Sequence, residues 1–375
     1  MLFSDIIGHQ GIKDKLRASL KLKRIPHAQM FHGPPGTGNL PLAIAYAQYI
    51  ACSGEKDDDS CEECPSCRKF ARLVHPDLHF AFPVNTTKKV TKDATSNDFI
   101  TEWREFVLEN PYFTPAGWYN HIGIENKQGI INKKEADLII QKLNLRPFEA
   151  EYKFMIIWLP EKMNSSAANH LLKLIEEPPL NTIFLLVSDN PDQVMLTISS
   201  RTQPVKLASI DDESLSQALE SGNGLPASDS KNIARLANGN YIKALEIINV
   251  AEESDYFFEK FTGIMRSCWS REYLKVNEWV EEMASLGRER LKTFFEYTSR
   301  LVRENFISNT GIHELIYLTG KEQEFTRKFH PFINGNNVTK LYSEINKASA
   351  DIERNGYAKI ILFDFSLQVM KLIRN

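Results

Sequence analysis

No stretch of this 375-residue chain approaches the run of about twenty apolar residues that a membrane-spanning helix requires. The opening residues, Met1-Leu-Phe-Ser-Asp-Ile-Ile-Gly8, lack the basic-then-apolar pattern of an export signal, so a cytoplasmic location is expected. A formal charge of −3 gives no global field of either sign, and any contact with nucleic acid must be local. There is no internal repeat and no low-complexity tract. Cysteine is scarce and odd in number, five in all, which argues against a disulfide framework. What remains is the composition of a soluble globular protein, 42% hydrophobic and 25% charged, long enough for two or three domains.

The most telling absence is a single charge. Phe31-His-Gly-Pro-Pro-Gly-Thr-Gly-Asn-Leu40 nearly spells a phosphate-binding loop, GxxxxGK[ST]. Gly33, Gly36 and Gly38 stand where the turn needs them. The lysine position holds Asn39 and the metal-binding hydroxyl position holds Leu40. An amide brings no full positive charge and leucine cannot coordinate Mg²⁺. The stretch reads either as an ordinary Gly/Pro turn or as a nucleotide-binding scaffold that no longer turns nucleotide over.

Around the loop, strands and helices alternate. Residues 3–24 have a basic helical pattern ended by Pro26. His27–His32 reads as a short buried strand, and 41–52 as a helix with Leu42, Ala45, Tyr46 and Tyr49 at helical spacing. Leu78–Phe82, Lys153–Leu159, Thr182–Ser188 and Pro204–Leu207 read as strands, with helices over 130–143 and, behind an Asn164 cap, up to the stop at Pro178-Pro179. That alternation predicts a parallel sheet with crossover helices. Residues 85–128 interrupt it. They open with Lys88, Lys89 and Lys92 and then carry Trp103, Phe106, Tyr112, Phe113, Trp118 and Tyr119, which reads as a surface excursion with some helix and no legible function. Beyond about 209 the strand signals vanish. Short helices over 211–220 and 228–250 give way to a mainly helical region from about 253, with apolar stripes over 291–306 and 360–373.

Four of the five cysteines fall within sixteen residues, Cys52-x8-Cys61-x2-Cys64-x2-Cys67. Four thiolates at that spacing suit a closed, structural Zn²⁺ site that pins the acidic loop 55–59; an iron–sulfur cluster and four unconnected thiols are the other readings. Cys268 stands alone and reads as a buried apolar residue. The strand 153–159 ends in Trp158-Leu159, where a phosphate-loop ATPase would carry acidic metal anchors, and Glu161 falls beyond Pro160. Glu176 and Glu177 sit at a helix C-terminus, where the macrodipole disfavours them, so they are either solvated or facing a cation. Arg201, after Thr197-Ile-Ser-Ser200, reads as a surface charge or as a finger offered to a neighbour's phosphate.

In combination these residues resemble the clamp-loader AAA+ family. The motifs that carry the resemblance are the degenerate loop, the four-cysteine module, Leu171-Leu-Lys-x-x-Glu-Glu-Pro-Pro179 and Ser200-Arg201, and they cover about residues 1–250. The resemblance implies an AAA+ phosphate-loop domain with a zinc module over 1–209, a helical lid over 210–252 and a helical collar over 253–375. It assigns Cys52, Cys61, Cys64 and Cys67 to zinc, and gives Ser200-Arg201-Thr202 the role of a trans arginine finger, with threonine where the family has cysteine. Gly239 to Leu245 matches the second-sensor motif, with Ile242 at its arginine position. The implied chain binds ATP poorly or not at all, lacks ATPase and polymerase activity of its own, and works with motor subunits of the gamma/tau kind, a delta subunit, a sliding clamp and primer–template DNA. An active motor subunit is the alternative, opposed by Asn39, Leu40, Trp158 and Ile242. The insert over 85–128 departs from the compact family pattern and takes no role from it.

Overall fold

The computed structural model describes residues 1–54, 58–124, 127–310, 318 and 320–374. The chain divides into two compact units, Met1–Ile247 and Ile248–Asn375.

In the first unit the elements run α1 (Gln10–Lys21), β1 (Ala28–His32), α2 (Asn39–Ala51), α3 (Pro65–Phe70), β2 (Leu78–Ala81), α4 (Ile100–Glu109), α5 (Pro115–His121), α6 (Lys133–Leu143), β3 (Lys153–Trp158), α7 (Ser165–Glu176), β4 (Thr182–Ser188), α8 (Leu196–Ser199), β5 (Gln203–Lys206), α9 (Asp212–Asn223) and α10 (Ala227–Ala237). The strands form one sheet in the order β2-β3-β4-β1-β5. Every pairing is parallel. Parallel neighbours need crossovers, and helices supply them on both faces.

The side-chain alternation of β3 sorts the two cores. Phe154, Ile156 and Trp158 face a layer built from α2, α4 and the segment 99–119. Met155 and Ile157 face α6 and α7. All six residues of β3 and all seven of β4 are buried, so these strands read as continuous apolar runs. Asn164 caps α7 as expected, its Oδ1 accepting the Ala167 N–H at 2.8 Å.

The insert is a correction to the sequence reading. It is no surface excursion. Trp103 and Trp118 are fully buried and Tyr112 is 5% exposed. Trp103 stacks on Phe82 at 4.1 Å and lies 5.2 Å from Trp158, so the rings complete one face of the sheet.

The second unit is helical throughout its described residues. α11 (Tyr241–Ser270) continues into it, followed by α12 (Tyr273–Ala284), α13 (Arg288–Thr310), α14 (Gly320–Phe329), α15 (Val338–Glu353) and α16 (Ala358–Leu372). Its core includes Phe261, Phe294, Phe295, Val302, Leu341, Leu362 and Phe365. Cys268 is fully buried there, and burial pushes its thiol up to about 12, as an inert apolar residue requires. Among the described residues no helix is long and apolar enough to cross a membrane.

Candidate functional site

The glycine loop leaves the C-terminal end of β1 and enters α2, the edge at which open parallel sheets place their ligands. Gly36 (φ +77°) and Gly38 (φ +93°) occupy the left-handed region that side chains resist. A Cβ on Gly33 would stand 2.6 Å from the Leu207 carbonyl oxygen. The crown of the loop is covered from within the chain. A Cβ on Gly36 would collide with Asn240 Oδ1, and the Tyr241 N–H donates to the Gly36 carbonyl at 3.1 Å. Ile242, expected from the resemblance to stand at the second-sensor arginine position, is half-buried beside that contact.

Asn39 turns its amide inward. Its Nδ2 donates to the Gly33 carbonyl at 3.0 Å and to Asp189 Oδ1 at 3.2 Å. Leu40 is 5% exposed and belongs to the core. Asp189, at the end of β4, was not legible as a site residue: it follows a buried strand, and only the fold brings it to Asn39. Burial raises the Asp189 carboxyl, against a smaller opposite pull from the Asn39 amide. Burial likewise raises Glu161, whose Oε2 accepts from Ser188 Oγ at 2.9 Å. Trp158 and Leu159 are buried, and Leu159 holds φ +57° at the turn off β3.

The space above the loop belongs to the insert. Pro111, Tyr112 and Phe113 line it together with Gly36, Gly38, Asn39, Leu40, Trp158 and Asp189, and about 20 Å³ remains. That is room for roughly one water, whereas ligand pockets run to about 300–1,000 Å³. The Tyr112 hydroxyl accepts the Ile7 N–H at 3.0 Å, its ring lies 5.0 Å from Tyr241, and Phe113 packs edge-on to Trp158 at 5.1 Å. The insert's aromatic content was visible in the sequence, but its destination, a ring pair filling the loop's own pocket, was not.

The four cysteine sulfurs all lie within 4.8 Å of one another. Backbone N–H groups of Cys61, Cys64 and Cys67 point at the sulfurs of Cys52, Cys61 and Cys64, each at 3.4 Å. Such N–H donors favour thiolates. At Cys64 burial pushes the thiol up, but N–H groups of Cys67 and Ser53 outweigh it and bring the thiol down to about 5. Cys67 is driven the other way by burial and by its sulfur neighbours. Four thiols this close cannot all ionise without a cation between them, and the donor set fits a tetrahedral soft-metal site. Cys52, Cys61, Cys64 and Cys67 can hold such an ion. Gly54 keeps the loop close: a Cβ there would lie 2.5 Å from the Cys61 sulfur. Asp59 ties the module down by accepting the N–H groups of Phe3, Ser4 and Ser60. Glu55, Lys56 and Asp57 of the acidic loop lie outside the described residues.

Ser200 and Arg201 follow α8 on a turn. Arg201 Nε donates to Glu176 Oε2 at 2.8 Å and its Nη1 to the Thr197 carbonyl at 2.9 Å. Its side chain is about one-third exposed (34%). Glu176 thus faces a cation, which accounts for a carboxylate at the end of α7. Glu177 forms no ion pair among the described residues. Ser200 Oγ reaches the Thr197 carbonyl at 3.5 Å, and Thr202 is 8% exposed with its hydroxyl donating to the Ser199 carbonyl.

The chain is similar in sequence to known proteins. It is 28% identical over 201 residues to the DNA polymerase III subunit tau of Bacillus subtilis (strain 168), covering 54% of this chain and 28% of that one. It is 26% identical over 204 residues to the DNA polymerase III subunit delta' of the same organism, covering 53% and 49%. The chain thus spans about a quarter to a half of the length of these relatives. A crystal structure of a DNA polymerase III gamma subunit-related protein from Thermotoga maritima overlays 96% of this chain and 100% of its own, at 14% identity and a TM-score of 0.34, too distant to carry an argument. The family described as "DNA polymerase III, delta subunit" matches residues 8–211, more than half of the sequence, and the chain belongs to that family.

Proposed function

We propose that this chain is a non-hydrolysing, delta-prime-type subunit of a DNA polymerase III clamp loader. The observation that carries the reading is the constriction directly over the loop, where Tyr112 and Phe113 line the space against Gly36 and Gly38 and leave about 20 Å³, while a separate cavity of about 770 Å³ lies between residues 4–8, Tyr112 and α9. The lost lysine, the lost hydroxyl and the tryptophan at the tip of β3 agree with it. A phosphoryl-transfer site needs positioned cationic groups and a metal, and the cavity beside this loop is lined by the Asn39 amide and by no cationic side chain.

In this reading the chain works mechanically. The degenerate phosphate-loop domain over 1–209 is followed by a lid over 210–252, most of it in the first unit, and residues 253–375 form the collar that assembles with motor subunits of the gamma/tau kind and a delta subunit. Arg201 acts in trans on nucleotide held by the adjacent motor, with Ser200 beside it. Fingers of this type raise phosphoryl-transfer rates by about 10³–10⁵. In the isolated chain Glu176 holds Arg201 by a half-exposed ion pair, a contact weak enough to exchange for a phosphate. Zn²⁺ at the four cysteines stabilises the module and takes no part in chemistry. The assembly places the sliding clamp on primer–template DNA in the cytoplasm.

A motor role is the second reading, because the tau relative aligns as well as the delta' one. One experiment separates the two. The purified chain is assayed for nucleotide binding and hydrolysis alone, then for its effect on a reconstituted motor complex. The proposal expects neither activity alone, and stimulation of the complex that Arg201→Ala abolishes. Magnesium-dependent turnover by the lone chain establishes the motor reading instead.

A further inference from the structure

The insert carries a second surface that the filled pocket does not use. Within residues 84–95 and 127–134 lie six lysines, Lys88, Lys89, Lys92, Lys127, Lys133 and Lys134, and a single acidic residue, Asp93. The whole chain is net negative at −3, so this is a concentrated local excess. All six lysines are exposed. Lys88, Lys89, Lys92, Lys133 and Lys134 form no ion pair among the described residues.

The two segments lie side by side. Val84 and Ile130 form an antiparallel bridge, Asn85 Nδ2 donates to the Gln128 carbonyl at 2.8 Å, and Asn132 Nδ2 donates to the Ala94 carbonyl at 2.8 Å. Lys127 Nζ reaches the Thr86 carbonyl at 2.7 Å, which brings its charge to the foot of the Lys88-Lys89 turn. That turn is held by the Thr87 N–H on the Val90 carbonyl and by Thr87 Oγ1 accepting from Lys89 and Val90. Nearby carboxylates are engaged elsewhere. Asp98 caps Thr95, Glu135 is buried on Ser96, and Asp137 faces His170 at 2.9 Å. Glu125 lies outside the described residues.

We infer that this lysine strip, centred on Lys88, Lys89, Lys92 and Lys127, is a docking surface for the phosphodiester backbone of duplex DNA. Lys88, Lys89 and Lys92, in no ion pair among the described residues, with the Thr87 and Thr91 hydroxyls beside them in sequence, are donors suited to phosphate oxygens. The insert's rings are committed to the core, so the strip offers no stacking platform of the kind that single-strand binders use. Ile130, 38% exposed, is the one exposed large apolar side chain among these residues, too little to enter a bilayer. The surface therefore reads charge and shape and not sequence. It deepens the proposed function by naming where the chain meets DNA, and its test needs no motor subunit, so the two can fail separately.

The test is fluorescence anisotropy of a labelled random-sequence 30-base-pair duplex with the full-length chain at 50–200 mM salt. Wild type is expected to bind in the non-specific range, about 10⁻⁴–10⁻⁶ M, with a steep salt dependence. The triple variant Lys88→Glu/Lys89→Glu/Lys92→Glu is expected to bind at least tenfold more weakly and to lose about three units of salt slope. A control reversal on the basic end of α1, Lys21→Glu/Lys23→Glu/Arg24→Glu, is expected to change binding less than threefold. Circular dichroism checks that each variant is folded. A misfolded triple variant is replaced by Lys88→Ala/Lys89→Ala, expected to lose about two units of slope. Absent binding by wild type, an unchanged strip variant, or an equal loss in the α1 control each overturns the inference. So does binding confined to vesicles containing 25% phosphatidylglycerol.

Discussion

Two sites in the first unit began with comparable local signals and ended in opposite chemical states. The cysteine module keeps all four donors, keeps their spacing, and keeps the backbone N–H groups that favour thiolates. The glycine loop keeps its backbone shape while Asn39, Leu40 and Trp158 remove its charges, and Tyr112 and Phe113 fill the space. In the module, a metal held by the four sulfurs would make function and stability the same quantity, because a structural metal is itself part of the fold. In the loop the turn joins strand to helix, and Tyr112 and Phe113 line the space beside it. A glycine turn can stand without charged partners, whereas a metal cage without its donors has nothing left to hold it together.

The largest effect expected from testing this contrast is on the module. Cys64→Ser, or strong chelation, should take metal content from about one ion per chain to none and open residues 52–67 to proteolysis, while the sheet stays folded. Metal analysis with limited proteolysis decides it, and a metal-free chain with an intact, protease-resistant module would erase the contrast. Next comes the filled pocket. Tyr112→Ala should cost about 3 kcal/mol or more in denaturant unfolding, as large-to-small core changes do, and Phe113→Ala, at a half-buried ring, about 1–3 kcal/mol. Neither should create ATP hydrolysis, since Asn39 and Leu40 are untouched. A loss under about 1 kcal/mol would mean that these rings are not core.

A smaller effect is expected from acid at the seam between the module and the sheet edge, where Phe70 packs on His75 at 4.8 Å and β2 carries His79. Burial first, then Lys142, brings His79 down to about 4. Its folded value lies below the ordinary one near 6.5, so the unfolded chain binds the extra proton. The stabilisation is whole above about 6.5 and is lost as pH falls toward 4, by about 1–3 kcal/mol after allowing for solvent screening. Glu135, Glu161 and Asp189, raised by burial, act with the opposite sign, so the measurement is the difference between wild type and His79→Gln between pH 7 and pH 4. Parallel pH profiles would remove His79 from the account. The smallest stability effect belongs to Arg201→Ala. Its ion pair with Glu176 is exposed enough that unfolding free energy should move by no more than about 1 kcal/mol. A much larger loss would make Arg201 a structural residue and weaken its assignment as a finger.

Much of the fold was legible because its signals are local. Apolar runs such as Lys153–Trp158 are strands whichever partner they take, Asn164 announces a helix start, and the Cys-x2-Cys spacing carries its own geometry. The insert was misread for the complementary reason. Its helices are short, and nothing in their periodicity shows that Trp103 will meet Trp158, fifty-five positions away, across the top of a sheet. Asp189 escaped notice likewise, since its link to Asn39 spans 150 positions. The loop's missing charges were visible at once, but a missing charge does not say what replaces it. The Arg201–Glu176 pair was half legible: the carboxylate's awkward place at a helix end hinted at a cation without naming it.

The amide of Tyr241 resting on the carbonyl of Gly36 has one more consequence. A small molecule shifts a conformational balance only by the difference in its affinity for the two arrangements. Here the crown of the loop and the start of α11 are fastened by peptide groups of the chain itself, with Asn240 wedged against the glycine. If the proposed function holds, their separation is expected to be the same whether the surrounding solution is rich or poor in nucleotide. The junction would then act as a weld, and whatever moves around it would take its bearings from a part that stays put.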